Sequence, residues 1–239
     1  MNKYHQEILE EIKKVSKGKI VSECNLKIDL GKYMGTSKPM YDLNNSKARE
    51  IAKNWVKLHK DISLEEFLDV LGSLYQGKSH TERTFGGFLL EYNPKLRKQI
   101  DPDVIKAWLT GAQGWLEVDS LCQSPFKSSE MLENWDKWEK VIKNLSQDKD
   151  VHKRRSSLVL LTGPTRQSSE KKLSDLAFEN VEKLKLEKDV LITKAISWLL
   201  RSLITHHKGE VGEYVKANLE NLPKIAIRET EKKLLTGKK

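Results

Sequence analysis

The sequence predicts an all-α fold, and three observations carry that expectation. Apolar residues recur at helical spacing in nearly every segment, two-residue alternation bounded by hairpin turns is missing, and the punctuation between apolar segments is short and polar. Short connections force neighbouring helices to run antiparallel, which leaves a globular bundle or a stack of helical pairs. We favour the stack, an α-solenoid. No strict internal repeat is visible, so its repeats must be degenerate.

The expected helices follow in order. YHQEILEEIKKV, SKAREIAKNWVKLH, SLEEFLDVLGSLYQ, TERTFGGFLLEY and DPDVIKAWLTGA fill the first half, with GWLEVDSLCQ read as a further helical stretch. SSEMLENWDKWEKVIKNLS, DVHKRRSSLVLLT, SEKKLSDLAFENVEKLKL, EKDVLITKAISWLLRSLIT, GEVGEYVKANLE and LPKIAIRETEKKLL fill the second. Ser63 followed three residues later by Glu66 is a capping-box signal that starts one helix at SLEEF. Pro102 and Pro223 stand near helix starts, where a missing N–H costs little. Thr162 to Lys172, TGPTRQSSEKK, reads as a surface loop inserted in a single domain covering residues 1–239.

With 239 residues the chain can bury a core without metal or disulfide staples, and its 38% hydrophobic and 32% charged residues describe a folded, soluble protein. Lysine and arginine outnumber aspartate and glutamate by 43 to 34, a net +9 that favours a polyanionic partner such as nucleic acid. The balance is not specific: a Lys-rich enzyme or a membrane-surface protein would share it. Cys24 and Cys122 form no ligand-spaced motif, so neither a disulfide framework nor a zinc site is expected. No signal-peptide or membrane-spanning run is seen, which points to a cytoplasmic, DNA-associated protein with no membrane contact; a monomer is expected. Gly-x-Ser-x-Gly, Walker A and His-Glu-x-x-His patterns are lacking, which removes several common enzyme classes.

A few residues do not behave as core. In EKDVLITKAISWLLRSLIT the apolar stripe is Ile192, Ala195, Ile196, Leu199 and Leu203, while Trp198 lies off its centre beside Lys194, Arg201 and Thr205. In GWLEVDSLCQ, Val118, Leu121 and Cys122 share one face, and Trp115 and Asp119 stack one turn apart at its edge. Arg154 and Arg155 precede an apolar run, with Arg155 one turn from Leu158 and Val159, suited to gripping a phosphate or orienting a carboxylate. Each also has a structural reading: Trp198 as helix-boundary packing, Trp115 as core, Asp119 as a solvated or paired carboxylate, Arg155 as an ordinary long side chain. Adjacent His206 and His207 read as solvated, Gly86-Gly87 as a close helix approach, and Trp135 and Trp138 as core.

Taken in order, these motifs resemble the AlkD-type DNA alkylation repair glycosylases, built from HEAT-like helical repeats. The resemblance runs from KYMGTSKPMYDLNNSKAREIAKNW through LYQGKSHTERTFGGFLLEY, GWLEVDSL, HKRRSSLVLL and KAISWLLR to VGEYVKANLENLPKIAIRETEKKL. It implies a curved solenoid with a basic concave face. It also implies hydrolysis of the N-glycosidic bond of N3- or N7-alkylated purines in double-stranded DNA, with no cofactor, no metal and no base-flipping pocket. The roles carried over are catalytic for Trp115, Asp119, Arg155 and Trp198, and DNA-contacting for Arg201 and for Tyr33 of the Tyr33-Met34 pair; Lys194 and Arg154 are further candidate backbone contacts. Gly114 and Leu116 depart from the family's usual aromatic and acidic residues beside the central Trp, which bears on substrate range rather than on cleavage. The competing readings are a non-catalytic relative that binds distorted or branched DNA, and a helical protein-interaction scaffold.

Overall fold

The computed structural model describes residues 2–21 and 29–238; Cys24 lies outside them. It is helical almost throughout. Among the described residues there is no strand, only one antiparallel bridge between Ile20 and Tyr41. The helices group into two compact units, residues 1–125 and 126–239.

The first unit holds α1 (Lys3–Val15), α2 (Leu30–Met34), α3 (Asn45–Leu58), α4 (Leu64–Tyr75), α5 (His80–Tyr92), α6 (Pro94–Arg97), α7 (Val104–Trp108) and α8 (Gly114–Cys122). Helix α5 is its centre, packed by α3, α4, α6 and α8. The Ser63/Glu66 capping box is present at α4, and a second one, Ser79 with Glu82, starts α5. Each satisfies two otherwise orphaned N–H groups and fixes where its helix begins. Phe67, Val70, Leu71 and Leu74 of α4 and Phe85, Leu89 and Leu90 of α5 recur at helical spacing and are buried almost completely. The Gly86-Gly87 pair sits where this packing is tightest. A Cβ on Gly86 would meet the Tyr75 ring at 2.6 Å, and one on Gly87 would meet the Ser120 carbonyl oxygen at 2.1 Å.

The second unit holds α9 (Ser128–Glu133), α10 (Trp135–Ser146), α11 (Val151–Thr162), α12 (Pro164–Gln167), α13 (Lys171–Leu184), α14 (Val190–Ala217) and α15 (Lys224–Thr236). Helix α14 packs on α11, α12, α13 and α15, and the stripe Ile192, Ala195, Ile196, Leu199 and Leu203 is its buried seam.

Several expectations are corrected here. SSEMLENWDKWEKVIKNLS is two helices, broken at Asn134 (φ −124°, ψ 41°). Trp138 is core, but Trp135 beside the break is half-exposed. The segment 162–172 is not a surface loop throughout. Pro164 opens α12, Thr162, Pro164 and Thr165 are buried, and the Thr165 hydroxyl donates to the Leu161 carbonyl at 2.7 Å. Only the polar end of the segment faces solvent. The two helices expected around residues 187–220 run on as one across a kink at His207 (φ −124°, ψ 41°). His207 is therefore buried in the bend, with Nδ1 3.1 Å from Glu210, while His206 stays exposed. No described helix is long and apolar enough to cross a membrane.

Candidate active site

Helix α8 carries Trp115 and Asp119, and two backbone contacts without intervening side chains hold it. Against α5 the contact is Gly87 on Ser120. At its other end Gly114 has φ +66°, and a Cβ there would lie 1.7 Å from the Met34 carbonyl oxygen, so glycine alone permits the approach of α2. The residue read as a departure from the family pattern is thus required by packing. The chain after α2 is tied to the same place. Gln113 Oε1 accepts from Thr36 Oγ1 (3.1 Å), the Ser37 amide (3.0 Å) and Ser37 Oγ (3.2 Å), and Lys38 Nζ donates to the Gly111 carbonyl at 2.9 Å.

Beneath this surface lies a buried carboxylate that sequence reading passed over. Glu117, with only 1% of its side chain exposed, accepts from Arg83 Nε (2.8 Å), Lys38 Nζ (3.1 Å) and the Gln113 amide (3.0 Å), with His80 Nδ1 at 3.1 Å. Arg83 also donates to the carbonyls of Trp108 (3.4 Å) and Thr110 (3.0 Å). Burial alone would raise the Glu117 carboxyl. The His80 and Gln113 hydrogen bonds and the Arg83 and Lys38 charges outweigh it and hold the group below the usual carboxylate range. Lys38 moves the other way: burial lowers its amine, and Glu117 only partly restores it. Glu117 stands inside the GWLEVDSL motif, but its side-chain partners come from two distant stretches of chain, Lys38 and the α5 pair His80 and Arg83.

On this base Trp115 is half-exposed, its Nε1 donating to the Tyr33 carbonyl at 3.1 Å. The Tyr33 ring, 61% exposed, meets the indole edge-on with centroids 5.8 Å apart. Asp119 is one helical turn further along and 7% exposed, while Val118, Leu121 and Cys122 on the opposite side are core. Tyr33, Trp115 and Asp119 are therefore brought together in the first unit.

In the second unit Arg155, on α11, is 4% exposed and donates from Nη1 to the Leu191 carbonyl at the start of α14, 2.6 Å away. Trp198 is half-exposed on α14, flanked on the same face by exposed Lys194 and by half-buried Arg201, whose Nε donates to the Ser197 carbonyl at 3.0 Å. Arg154 is placed differently from expectation. Its guanidinium is bidentate on Glu187 (2.7 and 2.9 Å) and donates to the Asp148 and Lys149 carbonyls, each at 2.9 Å, so it ties the α11 start to the loop before α14. Among the described residues no group of three or more His, Cys, Asp or Glu is arranged to hold a metal.

The sequence pattern of the DNA alkylation repair enzyme family matches residues 23–234. No curated protein is similar enough to match. Among solved structures the chain is similar to one described as a predicted DNA alkylation repair enzyme from Enterococcus faecalis. The TM-score is 0.72 at 19% identity, over 87% of this chain and 93% of that one. At that identity the likeness is one of fold.

Proposed function

The chain belongs to the DNA alkylation repair enzyme family, and from that premise we propose that it is a DNA glycosylase releasing N3- or N7-alkylated purines from duplex DNA. The observation that carries the reading is the half-exposed indole of Trp115, oriented by Tyr33, with the Asp119 carboxylate one turn away on the same helix. An aromatic face beside a single carboxylate suits chemistry that passes through a cationic sugar.

An N3- or N7-alkylated purine already carries positive charge. When its C1′–N9 bond breaks, the bonding electrons neutralise the base, which leaves without needing a strong general acid. The developing charge sits on the deoxyribose. Trp115 of the first unit offers a π-face to that sugar, worth about 1–2 kcal/mol if desolvated, and Trp198 of the second unit offers one to a deoxyribose of the bound strand. Asp119 stabilises the cation and orients the water that adds to C1′, its carboxylate accepting the proton that the water loses and passing it on to solvent. Arg155, fixed by the Leu191 carbonyl, is positional and holds a neighbouring phosphate; Lys194, Arg201 and Tyr33 add backbone contacts. Arg154 is left out, because Glu187 occupies its fork. Such a mechanism acts through sugar and backbone and does not require the base to be rotated into a pocket.

Chromatography of bases released from methylated duplex DNA tests the proposal. Asp119→Asn should bind the duplex yet release methylated base at least about a hundredfold more slowly. Undiminished release would overturn the assignment.

A further inference from the structure

The second unit gathers three cations that the sequence keeps far apart. Arg166 is on α12, Arg201 on α14 and Lys233 on α15, all half-buried. Arg166 Nη1 donates to Ser202 Oγ at 3.0 Å, and Ser202 Oγ in turn donates to the Trp198 carbonyl at 2.9 Å. Lys233 Nζ donates to the Arg201 carbonyl at 2.8 Å. Two helices thus deliver cations to adjacent residues of a third, one turn beyond Trp198, and every partner in these contacts is a neutral oxygen. Among the described residues none of the three makes an ion pair; Glu229, the carboxylate that senses Arg201, is bridged to Arg228 at 2.8 Å.

Like charges held together in partial burial raise the free energy of the folded chain unless an anion arrives. The Lys233 amine shows that cost: burial lowers it, and the Arg201 and Arg166 charges lower it further. The spare N–H donors suit the oxygens of a phosphodiester.

We propose that Arg166, Arg201 and Lys233 form a clamp for one backbone phosphate of the DNA strand whose sugar Trp198 meets. Resting on the DNA reading above, this adds Arg166 and Lys233 to the binding surface.

The test is the salt dependence of binding to undamaged duplex DNA, which needs no catalysis. Lys233→Gln and, separately, Arg166→Gln should weaken binding several-fold and lower the slope of log K against log salt by about 0.9. Their unfolding temperatures should be unchanged or higher, because a repulsion is relieved; Arg166→Lys should restore most of the slope. An unchanged slope in both variants would overturn the clamp, even if base release proves the glycosylase reading correct. A reduced slope in a protein that releases no base would uphold the clamp and sink that reading. If inorganic phosphate at low millimolar concentration protects the wild type from unfolding while the duplex slopes stay unchanged, the site takes free phosphate and the DNA assignment fails.

Discussion

Trp115 and Tyr33 stand 82 positions apart in the chain and are joined twice, by the indole N–H on the Tyr33 carbonyl at 3.1 Å and by an edge-on ring contact at 5.8 Å. The hydrogen bond fixes how the indole turns and the ring contact fixes where it leans, yet both rings remain partly in solvent. A large aromatic positioned this firmly and left uncovered loses hydrophobic stabilisation, which is the arrangement a sugar-binding face requires.

Trp115→Phe therefore separates orientation from bulk. We predict a stability change below about 1 kcal/mol, since the lost hydrogen bond is exposed, but a drop in base release of about tenfold from the unfixed ring. Single-turnover release from methylated duplex and urea unfolding, run side by side, would show the split. A variant with wild-type release would mean that the indole N–H plays no part.

Gly114→Ala should lower both stability and activity. The new methyl would lie 1.7 Å from the Met34 carbonyl oxygen on a backbone at φ +66°, so α2 has to move away. A loss of about 2–3 kcal/mol is expected from strain and overpacking. Activity should fall with it, because the α2 segment that carries Tyr33 is displaced. Denaturant midpoints report the first effect, and release of base from methylated duplex reports the second.

Glu117→Gln tests the buried hub. Removing the charge leaves Arg83 and Lys38 without their anion, and about 3–5 kcal/mol of destabilisation is expected. The sign with pH follows from the lowered carboxyl: the unfolded chain takes up its proton first as acid is added. The stabilisation is therefore complete above the unfolded carboxylate value and is lost as pH falls through the folded one. Urea midpoints between pH 7 and pH 3 should drop in the wild type more steeply than in the variant. Parallel curves would exclude Glu117 as the titrating group.

The helices were legible because burial on one side imposes a repeat that survives in any sequence context, as in the seam Ile192, Ala195, Ile196, Leu199 and Leu203. Ser63 and Glu66 marked a helix start through local chemistry, and Ser79 with Glu82 could have marked another in the same way. Breaks were harder to read. Asn134 and His207 take nearly the same non-helical conformation, the one splitting an expected helix and the other bending two into one, and neither residue type announces it. TGPTRQ looked like a loop by composition, although a proline at the first helical position favours a new turn. The sharpest limit concerns partners. Nothing local to Glu117 marks it as a hub, because Lys38, His80 and Arg83 reach it from 79, 37 and 34 residues away.

The tandem Arg154-Arg155 shows the same limit and gives the last prediction. Both residues carry the same charge, and the sequence alone offered both to DNA. Their contacts separate them: Arg154 grips Glu187 with both prongs of its fork, with side chains 21% and 26% exposed, while Arg155 is anchored on Leu191. Arg154→Met keeps most of the apolar stem and removes the fork, so it should cost about 1–2 kcal/mol of stability, between the values of exposed and buried pairs. Because Glu187 would be left unpaired, Glu187→Gln in the same chain should recover part of that loss. DNA affinity should keep its wild-type salt slope in either variant, since a residue that neutralises no phosphate releases no counterion. A slope lowered by about 0.9 in Arg154→Met would show instead that Arg154 leaves Glu187 for the DNA backbone when the duplex binds.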